Sequence, residues 1–221
     1  MGEKKLVLFN LGGSLLLSAD KAIVLLCKAI REAGLKPDYK IICQNWDESI
    51  SEVVIPLLEK EGDWTEEQTG LVMEKCLKLF NDVNFNSPAN LEIKLKELKE
   101  AGYELGIITN HHRQSFLAAL ADIGLDYSIF SYVKTGDDGI KKPDPKVFDQ
   151  VLKKFSPAQI VYVGDSPTDD LPASSKCQID FAAISSVTYP KGLFLAIGIS
   201  ENMIYETVID VINDLLKLKK V

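Results

Sequence analysis

The chain has 221 residues, 46% hydrophobic and 26% charged, with 32 acidic against 25 basic side chains and a formal charge of −7. That length and balance can bury a full core, either as one domain with a subdomain or as two compact units, and they exclude a disordered chain. Arg31 and Arg113 are the sole arginines in an acidic chain, so no guanidinium-based footprint for nucleic acid is present and none is expected as a partner.

The opening residues MGEKKLVLF run straight into a strand and a glycine turn without a cleavage region, unlike a signal peptide. KLVLF at 5–9 is the first of several short apolar runs, followed by YELGIIT at 103–109, YSIFSYV at 127–133, QIVYVG at 159–164 and QIDFAAI at 178–184. Their length and their β-branched and aromatic content predict the buried strands of a parallel sheet. Between Ala19 and Asn84 the pattern is helical instead, with helices expected at 20–33, 47–60 and 66–82, the middle one carrying Ile50, Val53, Val54, Leu57 and Leu58. This predicts a helical cap subdomain at 17–86, inserted into a core made of 1–16 and 87–221, with hinges near 15–19 and 83–88. An insertion opening beside the end of the first strand is read as a lid rather than an appendage. Tyr39, Trp46 and Trp64 within it either line the crevice or pack the cap.

The stretches at 90–102, 113–124, 144–155 and 168–177 each predict a crossover helix, with Gly102 and Gly124 as stops. The βαβα alternation gives a doubly wound parallel α/β sheet as the expected fold. YETVIDVINDLLKLKKV at 205–221 puts Val208, Ile212, Leu215 and Leu216 on one side of a last helix, which closes the core or meets a partner, so monomer and homodimer both stay open. Apolar runs such as KAIVLLCKAI at 21–30 are broken by lysine and fall short of the roughly 20 residues of a membrane span, so no membrane partner is expected and a cytoplasmic location is. Cys27, Cys43, Cys76 and Cys177 form no CxxC pair and read as reduced, buried thiols.

In a sheet of this kind chemistry collects just beyond the strand ends. Asn10, Gly12, Gly13 and Ser14 follow the first run, and Thr109 and Asn110 follow the second. Lys141, Lys142, Pro143 and Asp144 lie in the loop before 145, and Gly164, Asp165, Ser166, Asp169 and Asp170 follow the fourth run. Together they read as a small pocket for phosphate and a cation. His111, His112 and Arg113 come next to the second strand, either to touch substrate or to form the polar start of a helix.

Four pieces in this order resemble the ordered motifs of the haloacid-dehalogenase superfamily, in its phosphoglycolate-phosphatase-like branch with a helical cap. The pattern D-x-D-G-T-L resembles Asn10-Leu11-Gly12-Gly13-Ser14-Leu15, the Ser/Thr motif matches Thr109 in IITN, the lysine motif matches Lys142 in KKPDPKVF, and the acidic motif matches Asp165 and Asp170 in VGDSPTDD. The resemblance implies a magnesium-dependent phosphatase of small phosphorylated metabolites. In that family the first aspartate attacks phosphorus, and a second, two residues on, protonates the leaving group and then activates water. Asn10 and Gly12 stand in those two positions, so the covalent and the proton-transfer side chains are both gone.

By the same resemblance Ser14, Thr109, Asn110 and Lys142 surround the phosphate. Asp165, the Gly12 carbonyl and the Asn10 oxygen form the metal site, while Asp170 orders Lys142 or a metal-bound water. With one carboxylate lost, magnesium binding is expected to be weak or phosphate-dependent. Three readings therefore stay open: an inactive or strongly impaired phosphatase, a non-catalytic module for phosphate, a phosphometabolite or a protein partner, and an active or engineered-inactive magnesium-dependent phosphatase.

Overall fold

The computed structural model describes residues 4–16, 18–45, 53–81, 87–186 and 188–219. Two compact units emerge, Met1–Leu17 with Phe85–Val221, and Ser18–Asn84. Trp46, Ile50, residue 17 and the hinge residues 83–86 lie outside the described residues.

The first unit is built on one parallel sheet of β1 (Leu6–Phe9), β2 (Glu104–Ile108), β3 (Tyr132–Lys134), β4 (Ile160–Gly164), β5 (Asp180–Ile184) and β6 (Ile204–Tyr205), in the order β3-β2-β1-β4-β5-β6. Because successive side chains of a strand point to opposite faces, each central strand feeds two cores. Val7, Phe9, Leu105, Ile107, Val161 and Val163 pack on one side, with residues of α5 (Leu91–Glu100), α6 (Arg113–Asp122) and α10 (Val208–Leu218). Leu6, Leu8, Ile160, Tyr162, Phe181 and Ala183 face the other side. There they meet residues on or beside α7 (Asp149–Leu152), α8 (Asp170–Lys176) and α9 (Lys191–Ala196), including Phe148, Val151, Ala173 and Phe194. This is the doubly wound arrangement expected from the continuous apolar runs.

β1 lies between β2 and β4, with Phe9 in register with Ile107 and Val163. The chain runs from β1 to β2 and β3 on one side and then returns to β4 on the other, so the winding reverses beside β1, the place where such sheets take ligands at the carboxyl ends of their strands. α5 and α6 stop as expected, with Gly102 and Gly124 at φ of 86° and 67°.

Three local expectations change. The run at 127–133 pairs only through Tyr132–Lys134, because Asp126 accepts hydrogen bonds from the Ser128 N–H and hydroxyl and turns Tyr127–Ile129 into a 3-10 turn. The helix expected at 144–155 begins where Asp144 caps the Lys146 N–H, but as a 3-10 turn over Pro145–Phe148 before the short α7. The edge strand β6 takes Tyr205 out of the last helix expected at 205–221, which begins at Val208 instead, and neither β6 nor α9 is among the expected elements.

In the second unit α1 (Ser18–Glu32), α2 (Tyr39–Gln44), α3 (Ile55–Gly62) and α4 (Glu66–Asn81) enclose a separate core of Leu26, Cys27, Ile30, Ile42, Val54, Leu58, Val72 and Cys76. Asp38 caps α2 through the Lys40 and Ile41 N–H groups. None of the four cysteines forms a disulfide; Cys27 and Cys76 are buried as expected, Cys43 and Cys177 only partly, and burial pushes the Cys76 thiol up to about 11. No helix among the described residues is long and apolar enough to cross a membrane.

α10 starts at a capping box, in which Thr207 accepts from the Asp210 N–H and the Asp210 carboxylate accepts from the Thr207 N–H. Val208, Val211, Ile212 and Leu215 are buried, so the helix closes the core. Ile212→Ala should therefore lower the unfolding free energy by about 2–5 kcal/mol. Leu218→Ala, at a side chain 61% exposed, should stay within about 0.5 kcal/mol; urea unfolding followed by circular dichroism makes the comparison.

Candidate active site at the strand ends

Each sequence-predicted site residue falls in the first unit. Asn10 directly follows β1, Thr109 and Asn110 follow β2, Lys142 lies in the loop before α7, Asp165 follows β4, and Asp170 opens α8. The parallel register brings all these strand ends to one edge of the sheet.

At the centre Lys142 Nζ lies 2.5 Å from Asp170 Oδ1, with side-chain exposures of 3% and 0%. The ammonium also donates to Tyr162 Oη at 2.9 Å and Asn10 Oδ1 at 3.0 Å. The Tyr162 hydroxyl donates in turn to Asp170 Oδ1 at 2.7 Å. Asp170 Oδ2 accepts from the backbone N–H groups of Asp165 and Ser166, both at 3.0 Å. Both carboxylate oxygens are thus engaged, and of the two roles open to Asp170 from sequence, the contacts are those of a group that orders Lys142. Gly164 permits this, because a Cβ there would fall 2.4 Å from Asp170 Oδ2.

Asn110 holds the lysine loop by its backbone. Its Oδ1 accepts from Lys142 N at 2.9 Å, and its Nδ2 donates to Lys142 O at 3.0 Å and Asp169 Oδ2 at 3.2 Å. The Lys142–Pro143 peptide is cis. Thr109 is buried, with its hydroxyl accepting from His111 N at 3.2 Å. Ser14 is 1% exposed, and its hydroxyl has no hydrogen-bond partner among the described residues.

Asn10 is oriented by what surrounds it. Its Oδ1 accepts from Leu11 N at 2.8 Å as well as from Lys142, and its Nδ2 donates to Gly12 O at 2.8 Å and Asp165 Oδ1 at 3.0 Å. Gly13, at φ +72°, brings the backbone against Asp165 so closely that a Cβ would sit 1.8 Å from its Oδ2. The three oxygens expected to hold a cation therefore do not converge. Those of Gly12 and Asp165 face the Asn10 amide nitrogen, while the Asn10 oxygen faces two donors. The residues present do not fit a magnesium ion, and among the described residues no group of three or more His, Cys, Asp or Glu side chains could hold one.

His112 and Arg113 take the structural role open to them. Asp137 accepts from Arg113 N at 2.6 Å and lies 2.5 Å from His112 Nδ1 at the start of α6. His111 is solvent-accessible yet crowded by protein; that desolvation, with the Lys142 charge second, lowers its pKa. Tyr39 and Trp64 line a cleft of about 480 Å³ within the second unit. Tyr162 is the residue sequence reasoning missed, since a tyrosine in an apolar strand reads as core. The position of its hydroxyl between a lysine and an aspartate has no local signal.

A model of the haloacid dehalogenase-like hydrolase family matches residues 8–184. A phosphoglycolate phosphatase of Haemophilus influenzae (strain 86-028NP) is 29% identical over 185 residues, covering 76% of this chain and 80% of that protein. Among solved structures, a Haemophilus somnus protein named a predicted phosphoglycolate phosphatase aligns with a TM-score of 0.72 at 21% identity, over 97% of this chain and 99% of that one. CbbY from Rhodobacter sphaeroides, in complex with phosphate, aligns with a TM-score of 0.61 at 17% identity, over 84% and 88%.

Burial and the adjacent Asp170 carboxylate raise the Tyr162 pKa well above its ordinary 10.0. Unfolded tyrosine ionises near pH ~10, so the stability Tyr162 contributes is complete below that pH and is lost as pH rises toward its folded value. Tyr162→Phe should flatten the alkaline loss of stability and, by removing the hydroxyl between Lys142 and Asp170, cost about 1–3 kcal/mol at neutral pH. Asp170→Ala should cost about 3–5 kcal/mol, because it leaves a buried ammonium without its counter-charge. Denaturant titrations between neutral and alkaline pH check both.

Proposed function

This chain belongs to the haloacid dehalogenase-like hydrolase family, and on that footing we propose that it binds small phosphorylated metabolites on a phosphatase-type scaffold without hydrolysing them at an enzymatic rate. The observation that carries the reading is Asn10. It occupies the end of β1 next to Lys142, where the family's resemblance calls for a carboxylate nucleophile, and its oxygen is a neutral amide oxygen already bonded to Lys142 Nζ and Leu11 N. An amide oxygen attacks phosphorus poorly and yields no ordinary acyl phosphate. Gly12 offers no side chain to protonate a leaving group or activate water.

The binding half of the site supports the other side of the proposal. The Lys142 ammonium, whose three protons are already placed, would meet a phosphoryl group as a fixed positive charge, and the Thr109 hydroxyl with the backbone N–H groups beyond β1 and β2 would donate to it. Asp170 and Tyr162 serve as positioning residues for Lys142, and Asn110 for the loop that carries it. Names among the relatives, phosphoglycolate phosphatase and a protein solved with phosphate, favour a small phosphorylated metabolite as ligand. Because the residues do not fit magnesium, no step is assigned to a cation.

Turnover of an aryl phosphate and of a panel of small-metabolite phosphates should be at least about 10²–10⁴-fold slower in the unmodified protein than in Asn10→Asp with Gly12→Asp assayed with magnesium. Robust hydrolysis by the unmodified protein would overturn the reading. Calorimetric titration with inorganic phosphate should show saturable binding that Lys142→Ala abolishes. A flat titration of the unmodified protein would remove the ligand-binding half.

A further inference from the structure

We infer that the carboxamide nitrogen of Asn10 takes the place of a divalent cation, so that the site is organised, and receives its anion, without metal. The second half of this inference rests on the phosphate-binding reading above.

Two oxygens from distant parts of the chain, Gly12 O after β1 and Asp165 Oδ1 after β4, face one point at the strand ends, and the Asn10 NH₂ group lies within 2.8 and 3.0 Å of them. Oxygens that approach a common point repel unless something positive lies between them. A carboxamide nitrogen carries two N–H donors, one for each oxygen. Its orientation is set by the other end of the group. Oδ1 accepts from Lys142 Nζ and Leu11 N, so turning the amide over would set its N–H groups against an ammonium and a backbone N–H. It would also leave Gly12 O and Asp165 Oδ1 facing an oxygen. A carboxamide here uses both donors and both acceptor directions, whereas a cation at the same point would have to break the contacts on the nitrogen side.

Charge leads to the same conclusion. Asp170 is committed to Lys142, so Asp165 supplies the carboxylate at the bridging point, and one carboxylate with neutral oxygens holds a hard dication too weakly to displace the amide. The family pattern places carboxylates at positions 10 and 12. Two carboxylates and a dication sum to zero, as do an amide and a glycine. The two departures in sequence therefore act as a matched pair that leaves an incoming phosphate the same net charge to meet. Gly13 completes the arrangement by pressing the turn against Asp165 where no Cβ could fit.

Manganese(II), titrated into metal-stripped full-length protein and followed by electron paramagnetic resonance, tests the assignment. The unmodified protein should leave the free-ion signal intact, and Asn10→Asp should bind the ion at least about tenfold more tightly. Equal binding by the two proteins would overturn it. If Asn10→Asp fails to fold, Asn10→Ala serves, since it vacates the point without adding charge. Its thermal midpoint should rise with manganese while that of the unmodified protein does not, and a rise of equal size in both would overturn the inference. Calorimetry with inorganic phosphate in the presence of a chelator, then with excess magnesium, should give affinities within about twofold of each other; phosphate binding that requires magnesium would overturn it. If phosphate binds under neither condition, the phosphate reading falls and the manganese comparison still decides the role of the amide.

Discussion

The buried pair between the Lys142 ammonium and the Asp170 carboxylate is the interaction on which the rest of the site depends. Removing both groups from water is costly, and only close contact with further hydrogen bonds offsets that cost. Here Tyr162 lies between the charges, two backbone N–H groups hold the far carboxylate oxygen, and Asn10 takes the remaining ammonium proton. Through these contacts one ion pair joins the end of β1, the interior of β4, the start of α8 and the loop before α7. Its position also explains Gly164, which must lack a side chain for Asp170 to turn back onto the strand end.

A lysine anchored this firmly is a fixed positive charge at the mouth of a parallel sheet, which suits recognition of an anion whether or not chemistry follows. Chemistry requires an attacking carboxylate and a proton carrier, and neither Asn10 nor Gly12 supplies one. On the proposed reading the scaffold and the reaction are thus separable in this protein. The contacts that hold Lys142 make no use of the lost side chains beyond one amide oxygen, so the frame persists after them. On the reading proposed above, position 10 bridges oxygens in place of reacting.

Much of this architecture was legible along the chain. The apolar runs at 5–9, 103–109, 159–164 and 178–184 became central strands because burial on both faces demands continuous hydrophobicity, and the helical interval after the first strand became a unit with its own core. Where the reading slipped, a local interaction outcompeted the pattern. Asp126 bonded to Ser128 rather than letting the run at 127–133 extend, and Pro145 with its Asp144 cap began a 3-10 turn in place of a longer helix. β6 was invisible because two residues, Ile204 and Tyr205, carry too little periodicity to distinguish a strand from a loop.

The candidate site divides along the same line. Turn chemistry, strand ends and hydrophobic period are local properties, so the sequence by itself determined the alternating fold, the inserted helices and the strand-end positions of Asn10, Thr109, Lys142, Asp165 and Asp170. It also determined that position 10 carries no charge. Only the tertiary structure decided which way the Asn10 amide turns and that Tyr162 belongs to the charge network. Both depend on partners far away in the chain, Asn10 on Lys142 132 residues on and Asp165 155 residues on, Tyr162 on Lys142 20 residues back. Those donors and acceptors meet only when the sheet brings its strand ends together.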